Sequence, residues 1–260
     1  MSNAFDIGAR LLYRDALLLV IDKPPGLPVH PGPRGGETLT DHLDALRFGL
    51  PRRPEAAHRL DRDTSGCLAL GRHAKALARL GKLFAGSAVD KTYWAIVEGG
   101  PSEESGRIDL PLARRSDDPR SWWMKADPAG DPALTYWRVL GRSDGRTWLE
   151  LKPVTGRTHQ LRVHCAASGW PILGDAVYGG APRGSALHLH ARALSIPLYP
   201  KRDAIYGAAP RGSALHLHAR TLSIPLYPKR EAIMVTAPPP RHIAEAAAAM
   251  GLRTQPSQDV

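Results

Sequence analysis

Residues 58–66 read His58-Arg59-Leu60-Asp61-Arg62-Asp63-Thr64-Ser65-Gly66. Asp61 has Arg59 and Arg62 as neighbours, and nearby guanidinium groups favour the charged form of a carboxylate. An ionised carboxylate suits a nucleophile or a base better than a proton donor. Thr64, Ser65 and Gly66 offer a tight turn and hydroxyls that can hold the loop. From chemistry alone, a loop salt bridge accounts for Asp61 as well as catalysis does.

Working outward, Cys67 to Leu70 reads as a short buried strand. His73 to Phe84 places Leu77, Leu80 and Phe84 on one helical face, which predicts an amphipathic helix. Lys91 to Glu98 alternates and is rich in Tyr, Trp, Ile and Val, a strand pattern. Upstream, the apolar stretch Leu11 to Ile21 is expected to form two strand pieces that turn at Asp15. It runs into Lys23-Pro24-Pro25-Gly26-Leu27-Pro28, where prolines and a glycine exclude regular structure. Thr38 to Leu46 reads as a short helix capped by Thr38 or Thr40.

Further along, Arg107 to Leu112 is a candidate strand. The polar stretch Ser116 to Pro132 is a loop or hairpin tip carrying Trp122 and Trp123. Leu134 to Leu140 and Thr147 to Lys152 are strands around a turn at Gly141 to Gly145. Thr155 to Gly169 has a helix start and a Ser-Gly stop. Ile243 to Met250 is an alanine-rich helix. Short strands interleaved irregularly with a few helices predict an α+β fold, not an alternating doubly wound sheet. No linker divides the chain, so one domain over residues 11–251 is expected, between tails at 1–10 and 252–260.

The 260 residues carry 35 Lys and Arg against 25 Asp and Glu, a formal charge of +10. That excess favours an acidic partner, most commonly nucleic acid, although a generally basic proteome has the same effect. Two cysteines, Cys67 and Cys165, are too few for a disulfide framework or a cysteine zinc site. The first ten residues show no signal-peptide pattern, and Ala16 to Ile21 is far shorter than the roughly 20 residues of a spanning helix. A soluble cytoplasmic protein is the expectation.

Residues 178–205 and 206–233 are nearly the same text, differing only at Gly180/Ala208, Ala193/Thr221 and Asp203/Glu231. Solenoids need about three or more units, so a tandem duplication of one strand-turn segment is the better reading. Each copy holds a Leu-His-Leu-His run, Leu187 to His190 and Leu215 to His218. In a strand, the leucines face one side and the histidines the other. Such histidine pairs can bind zinc, but no cysteine or acidic cluster accompanies them, and ordinary strand histidines are expected.

Taken with its surroundings, the Asp61 segment resembles the signature of the RluA-type pseudouridine synthases, enzymes named for modification of large-subunit ribosomal RNA. Val20 to His30, with Lys23-Pro24-Pro25-Gly26, resembles the family's Lys-Pro-x-Gly block. Lys91-Thr92-Tyr93-Trp94-Ala95-Ile96-Val97-Glu98-Gly99 resembles its Lys-x-Tyr-x-Ala-x-Val-x-Gly strand. Thr155-Gly156-Arg157-Thr158-His159-Gln160-Leu161-Arg162-Val163-His164, followed by Gly174-Asp175 and Tyr178-Gly179, resembles its third block. The matches keep the family's order from about Leu11 to Pro240. No S4-type RNA-binding module is expected, since the resemblance already begins at Leu11.

The resemblance implies a single catalytic domain with a mixed, largely antiparallel sheet flanked by helices. It implies isomerisation of uridine in rRNA or tRNA, with RNA as partner, no cofactor or metal, no membrane, and a monomeric chain. Asp61 matches the essential aspartate, which attacks C1′ of the ribose, attacks C6 of the base, or abstracts a ribose proton. In each case the glycosidic bond breaks, the uracil rotates and a C5–C1′ bond forms. A carboxylate suits an oxocarbenium-like centre, as in glycoside hydrolysis.

Tyr93 matches an active-site tyrosine that lies against the uracil and can assist removal of the C5 proton. Arg162 matches the arginine that pairs with Asp61; by helical spacing it shares a face with His159 and Ala166. Arg59 matches a residue that enters the space left by an extruded nucleotide. Arg62 is grouped with it as an RNA contact. Lys23, Arg157 and His58 are candidates for phosphate contacts or loop support. The duplication leaves two copies for one strand position, so one must loop out, add an edge strand or strain the fold. The alternative function is an inactive RNA-binding protein that keeps this fold, though Asp61, Tyr93 and Arg162 are all present. A phosphodiesterase reading lacks both a metal-ligand cluster and a glycine loop for phosphate.

Overall fold

The structure is a computed structural model, and it describes residues 5–251 apart from 33–34, 119–121, 183 and 197–231. The chain turns where Asp15 stands: strand β1 (Leu11–Arg14) gives way to β2 (Leu18–Lys23). The Asp15 Oδ1 accepts the N–H groups of Leu17 and Leu18 at 2.7 and 2.8 Å. A ten-stranded sheet grows from this hairpin in the order β1-β2-β4-β11-β5-β10-β9-β6. Its other members are β4 (Ser65–Gly71), β5 (Asp90–Glu98), β6 (Ser105–Asp109), β9 (Leu134–Ser143), β10 (Arg146–Pro153) and β11 (Leu189–Ile196). The short β3 (Glu55–Ala56) pairs with β4, and β12 (Ile233–Thr236) pairs with β11. Every pairing is antiparallel except β4 with β11.

Both faces are covered, which is why β2 and β4 read as unbroken apolar runs. On one face Leu18, Val20, Cys67 and Ala69 pack with Leu80 and Leu83 of helix α1 (Ala74–Ala85). On the other, Leu19, Ile21, Leu68 and Leu70 pack with Leu39, Leu43 and Leu46 of a 3-10 helix (Leu39–Leu46). The second half of the sheet repeats the arrangement. Ala95, Val97, Leu149 and Leu151 meet Leu161 and Cys165 of helix α2 (Gln160–Ala167), whereas Trp94, Ile96 and Trp148 meet Ile243 and Ala247 of helix α3 (Arg241–Ala249). Tyr93 touches both the 3-10-helix core and the α2 core, so it stands where the two halves meet. Two further short strands, β7 (Leu112–Arg114) and β8 (Met124–Ala126), form the hairpin expected around Ser116 to Pro132.

Several boundaries differ from expectation. Helix α2 begins at Gln160 and not at Thr155, because His159 sits at φ +54° and ends the preceding turn. Thr155 supports that turn instead, its hydroxyl donating to the Gln160 side-chain oxygen at 2.7 Å. Residues expected as an N-terminal tail include Ile7, which is buried in the 3-10-helix core. The C-terminal tail at 252–260 lies outside the described residues.

The first copy of the repeated text supplies β11, and the last residue of the second, Ile233, opens β12. Leu187 and Leu189 enter the α2 core as alternation predicts. Residues 206–231, with the second Leu-His-Leu-His run, lie outside the described residues. Among the described residues no group of three His, Cys, Asp or Glu side chains is placed to hold a metal.

Candidate active site

Asp61 sits in the loop between β3 and β4, and the sequence around it explains how that loop is held. Leu60 is buried in the core behind it. The Thr64 N–H donates to the Asp61 carbonyl at 3.2 Å, closing the turn. Gly66 lies at φ +107°, and a Cβ there would come within 2.3 Å of the Ala191 carbonyl oxygen. Only glycine lets β4 approach β11 so closely. Ser65 and His190 reinforce the same junction, Oγ to Nδ1 at 2.9 Å.

Lys23 ties the loop from below. It is fully buried, and its Nζ donates to the carbonyls of Pro24 (2.7 Å), Leu27 (2.8 Å) and Arg62 (2.9 Å). Burial draws its pKa down to about 7, against the opposing charges of Asp63, Asp61 and Asp22. With all three donors spent on backbone, Lys23 supports the loop and makes no phosphate contact. His58 likewise takes the supporting role of the two expected of it. Its Nε2 accepts the Ala69 N–H at 3.0 Å, and its ring stacks on Phe84 at 4.2 Å. Burial lowers its pKa to about 3, so at neutral pH it is an uncharged brace. Arg62 is exposed, its Nε donating to the Gly26 carbonyl at 3.0 Å.

The Asp61 carboxylate faces a cleft of about 380 Å³ whose walls include Arg59, Phe84, Tyr93, His159 and Arg162. Arg59 is exposed at its rim, 5.7 Å from the ring of Trp122, which Arg114 approaches at the same distance. Arg157 is exposed at the margin, donating from Nε to the Pro132 carbonyl at 3.1 Å with Nη1 3.4 Å from Asp131. Burial, and then the Asp61 charge, pushes the Tyr93 phenol well above its ordinary range. Tyr93 therefore forms a protonated wall of the cleft at neutral pH.

Arg162 reaches Asp61, Nη1 to Oδ2 at 3.8 Å, but its main partner is Asp175. Nε donates to Asp175 Oδ2 and Nη2 to Oδ1, both at 2.8 Å, a planar two-pronged contact. Burial opposes the charge on both groups. The pairing outweighs it, holding Arg162 above and Asp175 below the usual range. Asp175 Oδ1 also accepts the N–H groups of Val177 and Tyr178.

Of the residues expected at the site, Asp61, Tyr93, Arg59, Arg157 and Arg162 line one cleft. The sequence missed His159, whose Nε2 is also 3.8 Å from Asp61 Oδ2, and it gave Asp175 and Tyr178 no role. Asp175 and Tyr178 lay in the quoted third block; nothing in their spacing showed which side chain they would meet.

A family model described as RNA pseudouridylate synthase matches residues 17–167, more than half of the chain. An uncharacterized RNA pseudouridine synthase of Zymomonas mobilis is 45% identical over 199 residues, spanning 75% of this chain and 91% of that protein. The ribosomal large subunit pseudouridine synthase D of the same organism is 37% identical over 183 residues, 67% of this chain but 57% of its own length. Among solved structures, human RNA pseudouridylate synthase domain containing 4 superposes with a TM-score of 0.71 at 27% identity, covering 94% of each chain. No helix among the described residues is long and apolar enough to cross a membrane.

Proposed function

The chain belongs to the RNA pseudouridylate synthase family, and from that premise we propose that it isomerises uridine in RNA to pseudouridine, with Asp61 as the reacting carboxylate. The observation that carries this reading is the convergence of Asp61 and Arg162 on a cleft walled by Tyr93. Breaking the N-glycosidic bond develops positive charge on the ribose, and a fixed carboxylate beside it stabilises that charge without reorganising. Arg162, oriented by Asp175, presents Nη1 to the carboxylate. Tyr93 supplies an apolar wall for the uracil while it turns. Arg59, exposed at the rim, is placed to fill the stack that an extruded nucleotide leaves. Arg157 and Arg114, which line the neighbouring pocket, and the exposed Arg62 add positive charge for the phosphate backbone.

Ribosomal RNA is the first substrate to examine, because one relative is named for the large ribosomal subunit; tRNA is the second. Purified protein and Asp61→Asn are incubated with total rRNA and with tRNA, and pseudouridine is measured. Product from the unaltered protein and none from the variant is expected. No product on either RNA would sink the activity, and equal product from both proteins would sink the role of Asp61.

A further inference from the structure

His159 stands at the point where a helix start, a hairpin and the Asp61 loop meet. Its backbone holds φ +54°, a region costly for most side chains and tolerated where the surroundings impose it. The imidazole bridges two groups. Nδ1 lies 2.8 Å from the Tyr178 hydroxyl, and Nε2 lies 3.8 Å from Asp61 Oδ2. The tautomer is selected by the carboxylate, and Tyr178 can match it. The Tyr178 oxygen accepts the Met124 N–H at 2.9 Å and keeps its own proton to donate. Donation to Nδ1 leaves the ring proton on Nε2, pointing at the carboxylate. The opposite tautomer would set an imidazole lone pair against an anion. Burial lowers the His159 pKa, with Asp61 opposing, so the ring is neutral at pH 7 and acts as a directional donor, not a second cation.

Both ion-pair contacts of Asp61 fall on the same atom. Arg162 Nη1 and His159 Nε2 each lie 3.8 Å from Oδ2. Both donors address one oxygen, so closing either gap sets the rotation of the carboxylate and leaves Oδ1 for another partner.

We propose that His159 is a positioning residue for Asp61: its Nε2–H, supported by the Met124–Tyr178 relay, holds Oδ2 so that Oδ1 meets the substrate. The inference rests on the pseudouridine synthase reading. Catalytic hydrogen bonds are often long without substrate and tighten in the complex, so closure of the 3.8 Å gap accompanies RNA binding. The relay begins at the first residue of β8, in the hairpin whose Trp122 lies under Arg59. Contact of RNA with that hairpin is thereby linked to the aim of Asp61.

Two amide substitutions separate positioning from mere support. His159→Asn is suited to the left-handed backbone and places an amide near Nδ1, keeping a contact with Tyr178 but losing the reach to Asp61. His159→Gln places an N–H near Nε2. Kinetics are measured on an RNA that the unaltered enzyme modifies, with thermal midpoints in parallel. Loss of alignment at the reacting atom predicts a fall in kcat of about a hundredfold for His159→Asn at nearly constant KM. Partial recovery in His159→Gln and a smaller fall in Tyr178→Phe are expected. Unchanged kcat in His159→Asn overturns the proposal. So does an equal loss in both amide variants, which would mark a role in the turn alone. A readout independent of activity is the imidazole ¹⁵N spectrum at pH 7.5, with His159 assigned by its loss in His159→Asn. A proton on Nε2 is expected, and a proton on Nδ1 overturns the relay even if no RNA substrate is found. Absence of product from the unaltered protein, with Nε2 protonated, would fail the functional reading and leave the geometry standing.

Discussion

Arg162 binds Asp175 through two hydrogen bonds of 2.8 Å and reaches Asp61 only with Nη1 at 3.8 Å. The guanidinium is thus anchored by one carboxylate so that its remaining edge can serve another. A buried charge pair is stabilising only while complete, since removing one partner strands the other.

Asp175→Asn is therefore expected to destabilise the protein by about 3–5 kcal/mol, because Arg162 and Asp175 are both almost fully buried. Activity should fall in parallel as Arg162 loses its orientation. Urea denaturation followed by fluorescence measures the first effect, and pseudouridine formation at a temperature where the variant is folded measures the second. A midpoint equal to that of the unaltered protein would show that the pair is not what holds α2 to the 174–178 turn.

Gly66→Ala tests the junction of β4 and β11. A methyl group there meets the Ala191 carbonyl at 2.3 Å, and the backbone is at φ +107°. Both effects act against the folded state, so a loss of about 3 kcal/mol or more is expected. Calorimetry reads it directly. Gly26→Ala is the comparison, with a positive φ of 83° but open space around it; it should lose only about 1 kcal/mol.

Acid should weaken the fold through His58 and His190. Burial lowers their pKa values to about 3 and about 4, from an ordinary 6.5. Above pH 6.5 both are neutral in folded and unfolded chains, and their packing is fully retained. As pH falls below 6.5 the unfolded chain gains protons that the folded chain refuses. Stability is lost by up to about 1.4 kcal/mol per pH unit for each histidine, until the folded pKa values are reached. Denaturation at pH 7.5, 6 and 5 should show this trend. His58→Gln keeps an acceptor for the Ala69 N–H without titrating, so its slope should be shallower. An unchanged slope would mean that another group carries the acid sensitivity.

The repeat predicts an asymmetric pair of deletions. Removing residues 206–233 leaves Ile205 to occupy the place of Ile233 at the start of β12, and folded, active protein is expected. Removing 178–205 brings Ala208 to the place of Gly180, which lies at φ +73°, and Thr221 to the place of Ala193. That chain should fold with a stability lower by about 1 kcal/mol. Thermal midpoints and pseudouridine yields compare them. Loss of soluble protein in both would show that neither copy is surplus.

Local pattern was enough for much of the fold. The β1–β2 turn at Asp15, helix α1 with His73 at its start, and strands β5, β9 and β10 all follow from periodicity and turn chemistry that neighbours in sequence control. Helix α2 was drawn too long because His159 adopts a left-handed backbone that its residue type does not demand. For Lys23 and His58 the sequence leaves phosphate contact and loop support both open, because a basic side chain in a motif can serve either. Only the packed structure shows that their polar atoms are occupied by backbone partners.

At Asp61 the division is clear. Sequence alone determined the family resemblance, the motif order and a carboxylate in a tight turn, because each motif is a run of residues adjacent along the chain. Tertiary structure alone decided which side chains reach that carboxylate. Arg162, His159 and Asp175 come from segments about a hundred residues away, and helix α2, the 174–178 turn and the β4–β11 pairing bring them together. Side-chain distances of a few ångströms depend on how separate elements pack, and no spacing within one element encodes them.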